Sequence, residues 1–137
     1  MSVGENIRRY RKLRAMTQAQ LAEAVGLTEG AVRQYESGIR AVKPELLESI
    51  SAALGVSVNA LKDYGVETAG DLASLLVRLE DSFGIVPAAD GSGLSLNPKA
   101  PRAPKAAMAI ELWAEKRAQL ENGEIDAAEY EDWKASL

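Results

Sequence analysis

The stretch Thr17 to Gly38, T-Q-A-Q-L-A-E-A-V-G-L-T-E-G-A-V-R-Q-Y-E-S-G, constrains this chain more than any other. It predicts two short helices joined by a tight turn. Thr17 can cap the first helix, and Gln20, three residues on, completes a capping box. Leu21, Ala22 and Val25 give that helix one apolar face, and Gly26 follows where a residue of positive φ is needed. Thr28 caps the second helix, Ala31, Val32 and Tyr35 form its inner face, and Gly38 ends it. Glu29, Gly30, Arg33 and Gln34 are left over on the outside.

A helix lying in a DNA major groove presents such a polar outer set. The spaced residues around it resemble the Cro and phage-repressor type of helix-turn-helix, the XRE family. The match comprises Arg8, Arg11, Lys12, Met16, Thr17, Gln18, Leu21, Ala22, Gly26, Leu27, Thr28, Val32, Tyr35, Glu36 and Gly38. It continues through Pro44, Leu47, Ile50, Ala53, Leu54, Gly55, Val56 and Leu61, and so covers about the first 64 residues. The resemblance implies a five-helix DNA-binding domain over residues 1–64. It also implies that Arg11 pairs with Glu36 as a structural ion pair.

The chain departs from the family pattern at three places. Ala15 stands where glycine is common, so the exit from the first helix should be strained. Ser51 replaces a usual buried alanine, and Gly30 puts no side chain at a usual base-reading position.

Local signals place the other helices of this domain. Ser2 and Glu5 have capping-box spacing for a helix over about 3–14, with Ile7 and Tyr10 facing inward. Pro44 suits the first turn of a fourth helix with Leu46, Leu47, Ile50, Ala53 and Leu54 as its apolar face. Ser57 caps a short fifth helix containing Val58 and Leu61.

Beyond Gly65 the family pattern stops, and residues 65–137 read as a C-terminal dimerisation or interaction region. Thr68 opens a helix over 68–83 with a stripe of Leu72, Leu75, Leu76, Leu79 and Phe83. Two short apolar pieces around Asp90-Gly91-Ser92-Gly93 predict a β-hairpin over 85–96. Residues 97–105 hold three of the five prolines and read as a stiff extended linker. A helical pair follows over 106–137, with Asn122-Gly123 between the helices and Asp126 and Glu129 as a second-helix capping box. The run L-E-N-G-E-I-D-A-A-E-Y-E-D-W-K resembles the short C-terminal helical hairpins (SHOCT-like) of many bacterial proteins, which implies self-association. The fold expected is all-α, with one small hairpin.

Composition narrows function. The chain has no Cys and no His, so a disulfide, a zinc site of the usual ligands and a His-based catalytic set have no residues to draw on. No cofactor, no metal and no enzymatic activity are expected. The carboxylates from Glu121 to Asp132 read as a solvated helical surface, and the Asp90 loop lacks the alternating acids of a calcium site. The charged start and the lack of a long apolar run predict a cytoplasmic protein without membrane contact. Net charge is −4, but it is uneven. Residues 1–64 carry nine Lys/Arg and seven Asp/Glu, a net of +2; residues 65–137 carry seven and thirteen, a net of −6. The basic half can approach phosphate, and the acidic half should face away from it.

These features predict a sequence-specific double-stranded DNA-binding regulator, a repressor acting as a homodimer on a palindromic operator. Glu29, Arg33 and Gln34 are the expected base readers; Thr17, Gln18, Thr28, Ser37 and Arg40 are the expected phosphate contacts. Leu72, Leu76, Leu79, Phe83, Trp113 and Trp133 are the expected dimer or interaction residues. The alternative is an antitoxin-like or adaptor protein whose acidic C-terminal region binds a protein partner.

Overall fold

The computed structural model describes all residues, Met1–Leu137. The protein is helical with one two-stranded sheet, as expected. The elements are α1 (Val3–Leu13), α2 (Gln18–Val25), α3 (Glu29–Ser37), α4 (Pro44–Leu54), α5 (Val58–Leu61), α6 (Ala69–Phe83), β1 (Ile85–Pro87), β2 (Leu94–Leu96), α7 (Ala103–Glu121) and α8 (Ala127–Ala135). They form two compact units, one of residues 1–64 with 131–137 and one of residues 65–130. The expected C-terminal region at 65–137 is thereby corrected at its end. Glu131–Leu137 belongs with the first unit, because Ala135 is buried in that unit's core.

Local chemistry sets most helix starts. Capping boxes close on Ser2 with Glu5, Thr17 with Gln20 and Thr68 with Asp71. Thr28 and Ser57 accept the amides of Ala31 and Ala60, and Asp126 accepts that of Glu129. The first unit's core is aliphatic: Ile7, Leu21, Val32, Ile50, Leu54 and Leu61 are almost fully enclosed. Two polar side chains, one on α1 and one just past its end, tie this core together over long sequence separations. The buried Asn6 donates to the carbonyls of Leu61 and Lys62, and Arg14 Nε donates to the Leu54 carbonyl at 2.8 Å. They satisfy carbonyl groups that the ends of α5 and α4 leave without helical partners.

Ala15 lies at φ 55°, the left-handed conformation that a Cβ disfavours. Ala15→Gly is therefore expected to raise the first unit's stability by about 1 kcal/mol, the relieved strain outweighing the added freedom of the unfolded chain. A thermal melt checks this; an unchanged or lower midpoint would show that the strain is absent.

In the second unit, β1 pairs antiparallel with β2, Ile85 opposite Leu96 and Pro87 opposite Leu94. The hairpin packs on α6, which also contacts α7. The extended linker expected at 97–105 is not present. The Asn97 and Arg102 amides donate to the carbonyls of Gly84 and Ser82, and α7 already begins at Ala103. Pro104 sits in the first turn of that helix, where a missing N–H costs nothing. The expected helix start at residue 106 is thus three residues late.

Candidate nucleic-acid interface

The α2–α3 pair is held from below by apolar contacts and from the side by one buried ion pair. Gly26 ends α2 at φ 71°, and the Leu27 amide returns to the Ala22 carbonyl at 2.8 Å, so the chain turns sharply before Thr28. Val32, Tyr35 and Glu36 form the buried side of α3. Glu29, Gly30, Arg33, Gln34 and Ser37 remain exposed along its other side.

Arg11 and Glu36 meet as a fork: Nε to Oε1 at 2.5 Å and Nη2 to Oε2 at 3.0 Å. Their side chains are only 9% and 4% exposed, so the charges are compensated inside the protein rather than by water. Arg11 Nη1 also donates to the Met16 carbonyl at 2.8 Å. The pair therefore locks α1 to α3 and fixes the loop before α2. Burial pushes the Glu36 carboxyl up. The hydrogen bonds from Arg11 and Gln18, with the charges of Arg11 and Arg8, outweigh burial and hold it below the usual glutamate value of 4.5. A lowered folded pKa gives stability that is present above 4.5 and is lost as pH falls through the folded value. The wild-type chain should thus lose stability on acidification below about pH 4.5, and Glu36→Gln should show a flatter profile there. Denaturant midpoints across that range check it; parallel profiles would contradict it.

The expected phosphate contacts lie at the ends of the two helices. Thr17 and Thr28 use their oxygens as cap acceptors, which leaves each hydroxyl proton to donate outward. Gln18 has a further task not foreseen from sequence. Its Nε2 donates to Glu36 Oε2 at 2.9 Å, so its amide is oriented by the buried pair, with its second N–H in addition. The Ser37 hydroxyl donates to the Gln34 carbonyl, and the Arg40 guanidinium lies 5.1 Å from the centre of the Tyr35 ring. Of the expected base readers, Arg33 and Glu29 face each other one turn apart at 3.4 Å, both more than half exposed. Gln34 stands beside them without a charge.

The expected dimer residues divide. Leu72 is exposed, Leu76, Leu79 and Phe83 are half-buried, and none of α6 is fully buried. Trp113 lies in the second unit, 52% exposed, its indole donating to the Tyr130 hydroxyl at 2.9 Å. Trp133 lies in the first unit, half-buried, so the two tryptophans are not parts of one unit's surface. No helix is long and apolar enough to cross a membrane.

Gly4 was not legible as a site residue. A Cβ there would overlap the Tyr35 carbonyl oxygen and stand 2.6 Å from that of Glu36. The absence of a side chain is what lets α1 lie directly on the end of α3. A glycine inside a helix, costing about 1 kcal/mol relative to Ala, was the available signal.

A capped helix with a polar outer face, set across a second helix whose N-terminus opens beside it, defines a helix-turn-helix DNA-binding domain. Residues 7–61 match the helix-turn-helix family model, and this unit is a helix-turn-helix of the Cro and phage-repressor (XRE) type. The chain is similar to antitoxin PezA of Streptococcus pneumoniae, 31% identical over an alignment of 101 residues that covers 61% of this chain and 64% of that protein. It is similar to the immunity repressor protein of Bacillus phage phi105, 37% identical over 68 residues, 50% of this chain and 46% of that one. The chain thus spans less than two thirds of these relatives. Among solved structures, the P22 c2 repressor protein in complex with a synthetic operator is 33% identical, covering 46% of this chain and 96% of that one with a TM-score of 0.44.

Proposed function

We propose that the protein is a transcription regulator that binds double-stranded DNA in a sequence-specific manner, as a two-fold dimer that represses by occluding its operator. The observation that carries this reading is the exposed row Glu29, Arg33, Gln34 and Ser37 on α3, flanked by the capping hydroxyls of Thr17 and Thr28. Free amides at the α2 N-terminus can take a phosphate, while α3 presents side chains to base edges. Gln suits adenine, Arg suits guanine, and Glu accepts from cytosine N4. The partly exposed stripe of α6 supports a dimer interface in the second unit, because Leu72 and Leu75 are left in water.

Glu29 is the informative residue. It is an anion in a phosphate field, and it holds Arg33. Glu29→Ala should raise affinity for all duplexes and relax preference at one base pair by about 1–3 kcal/mol. Arg40→Ala should instead weaken all duplexes alike and flatten the salt dependence by about one unit of slope. Titrations of both variants at several salt concentrations check this. An unchanged sequence preference for Glu29→Ala would reduce that residue to a favourable charge at the helix N-terminus.

A second reading has its own support. The match to the protein named antitoxin PezA, 101 residues long, exceeds the family segment 7–61. The −6 of residues 65–137 would suit a basic protein partner. Co-purification of a basic protein with the full chain, lost when those acidic residues are neutralised, would favour it.

A further inference from the structure

The hairpin of the second unit has two edges of different character. At the ends of the β1–β2 pairing, the Asn97 amide donates to the Gly84 carbonyl and the Ala88 amide to that of Gly93. Hydrogen-bonded pairs alternate along an antiparallel ladder, so Val86 and Ser95 exchange the bonds between the strands. The main-chain groups of Ile85 and Pro87 then point off the outer edge of β1, and those of Leu94 and Leu96 off the outer edge of β2. Pro87 closes the β1 edge to a further strand, because it has no N–H to donate. The β2 edge has no such guard. Leu94 and Leu96 keep their N–H and C=O groups without a partner in the chain, and the strand holds neither proline nor charge.

What fits this edge is set by what lies on it. Leu94 and Leu96 share one face of the hairpin with Ile85 and Pro87 across from them. Leu96 is half-buried, whereas Leu94 is 61% exposed. The strand reads Leu-Ser-Leu in both directions, so it is complementary to its own copy running antiparallel. About a two-fold axis at Ser95, Leu94 of one copy stands opposite Leu96 of the other. The two exchange main-chain hydrogen bonds, and the exposed leucine is covered by the one beside it. The flanking charges select the same direction. Asp90 stands in the turn before β2 and Lys99 in the turn after it, both exposed. Antiparallel copies bring the acidic end of each strand beside the basic end of the other; parallel copies would set like charges together. We propose that the β2 edge is a self-association surface, on which a second copy of this chain adds its own β2 to make one continuous sheet across a two-fold axis. This rests on the dimer reading above and names where that dimer is joined.

The test follows the full chain by sedimentation and by amide hydrogen exchange over a range of concentrations. In the wild type, the Leu94 and Leu96 amides should exchange more slowly as the dimer forms. The Ser95 amide, bonded within the hairpin, should be slow throughout. Leu94→Pro removes one outward donor per copy and repeats on β2 what Pro87 does directly opposite on β1, so the hairpin can hold. It should weaken the dimer about 30-fold, the loss of two hydrogen bonds, with Ser95 still protected. Asp90→Lys and Lys99→Asp, mixed in equal amounts at low salt, should pair with each other in preference to themselves, because only the mixed dimer sets opposite charges at both ends. A dimer in which Leu94 and Leu96 exchange as freely as in the monomer would overturn this surface and leave the dimer reading standing. So would a Leu94→Pro chain that dimerises like the wild type, or the lack of any preference for the mixed pair. A wild type that stays monomeric at tens of micromolar would overturn the dimer reading and this surface with it. If Leu94→Pro loses protection at Ser95, its hairpin has opened, and the exchange pattern of the wild type decides the matter.

Discussion

Replacing Arg11 by Met in the full chain is expected to lower the unfolding free energy of the first unit by about 3–5 kcal/mol, because Glu36 is left charged and buried without its partner. Glu36→Leu alone should cost a similar amount by stranding the guanidinium. The double variant should recover part of the loss. Recovery stays incomplete because Gln18 Nε2 then lacks its acceptor and the Met16 carbonyl its donor. Chemical unfolding of the four proteins measures the coupling. Single variants with wild-type melting but no DNA binding would show that the pair contacts DNA instead of holding the domain.

Gly4→Ala is the second large effect, and its sign runs against helix propensity. Alanine favours a helix over glycine by about 1 kcal/mol. Here the added methyl would strike two backbone carbonyls of α3, and backbone cannot move aside as a flexible side chain can. Either α1 lifts from α3 or the end of α3 shifts, and overpacking of this kind costs about 1–3 kcal/mol. The shift would also loosen the Arg11–Glu36 fork, which spans the same two helices, so the upper end of that range is expected. A lower melting midpoint together with weaker DNA binding is the predicted outcome. A stabilised variant would mean that the two helices are not in close contact at this point.

What the sequence disclosed follows the range of each interaction. Thr17 with Gln20, Thr28, Ser57, Thr68 and Asp126 were readable because a cap acts within three residues of itself. The outer face of α3 was readable because its inner face repeats at helical spacing. Residues whose partners are distant in sequence were not. Asn6 acts on residue 61, Arg14 on residues 54 and 132, and Ala135 on a core formed before residue 64. Nothing local marks Ala135, one of several alanines, as a core residue. Pro104 misled for the opposite reason. Among neighbouring prolines it suggests extended chain, yet in a first helical turn proline is well tolerated. Within the interface, the exposed row was legible, but the Gln18 bond to Glu36 was not, because it depends on the angle at which α2 meets α3.

Selection of bound duplexes from a random pool tests the central claim most directly, run with the full chain and with a variant in which Glu29, Arg33 and Gln34 are all Ala. These side chains are exposed, so the variant should fold and sediment as the wild type does. The wild type should enrich a two-fold symmetric site with half-sites about 34–36 Å apart, one turn of DNA. The variant should lose that motif and keep only weak, salt-dependent binding. Enrichment of the same motif by both proteins, or of none by the wild type, would contradict the assignment of α3 as the element that reads DNA.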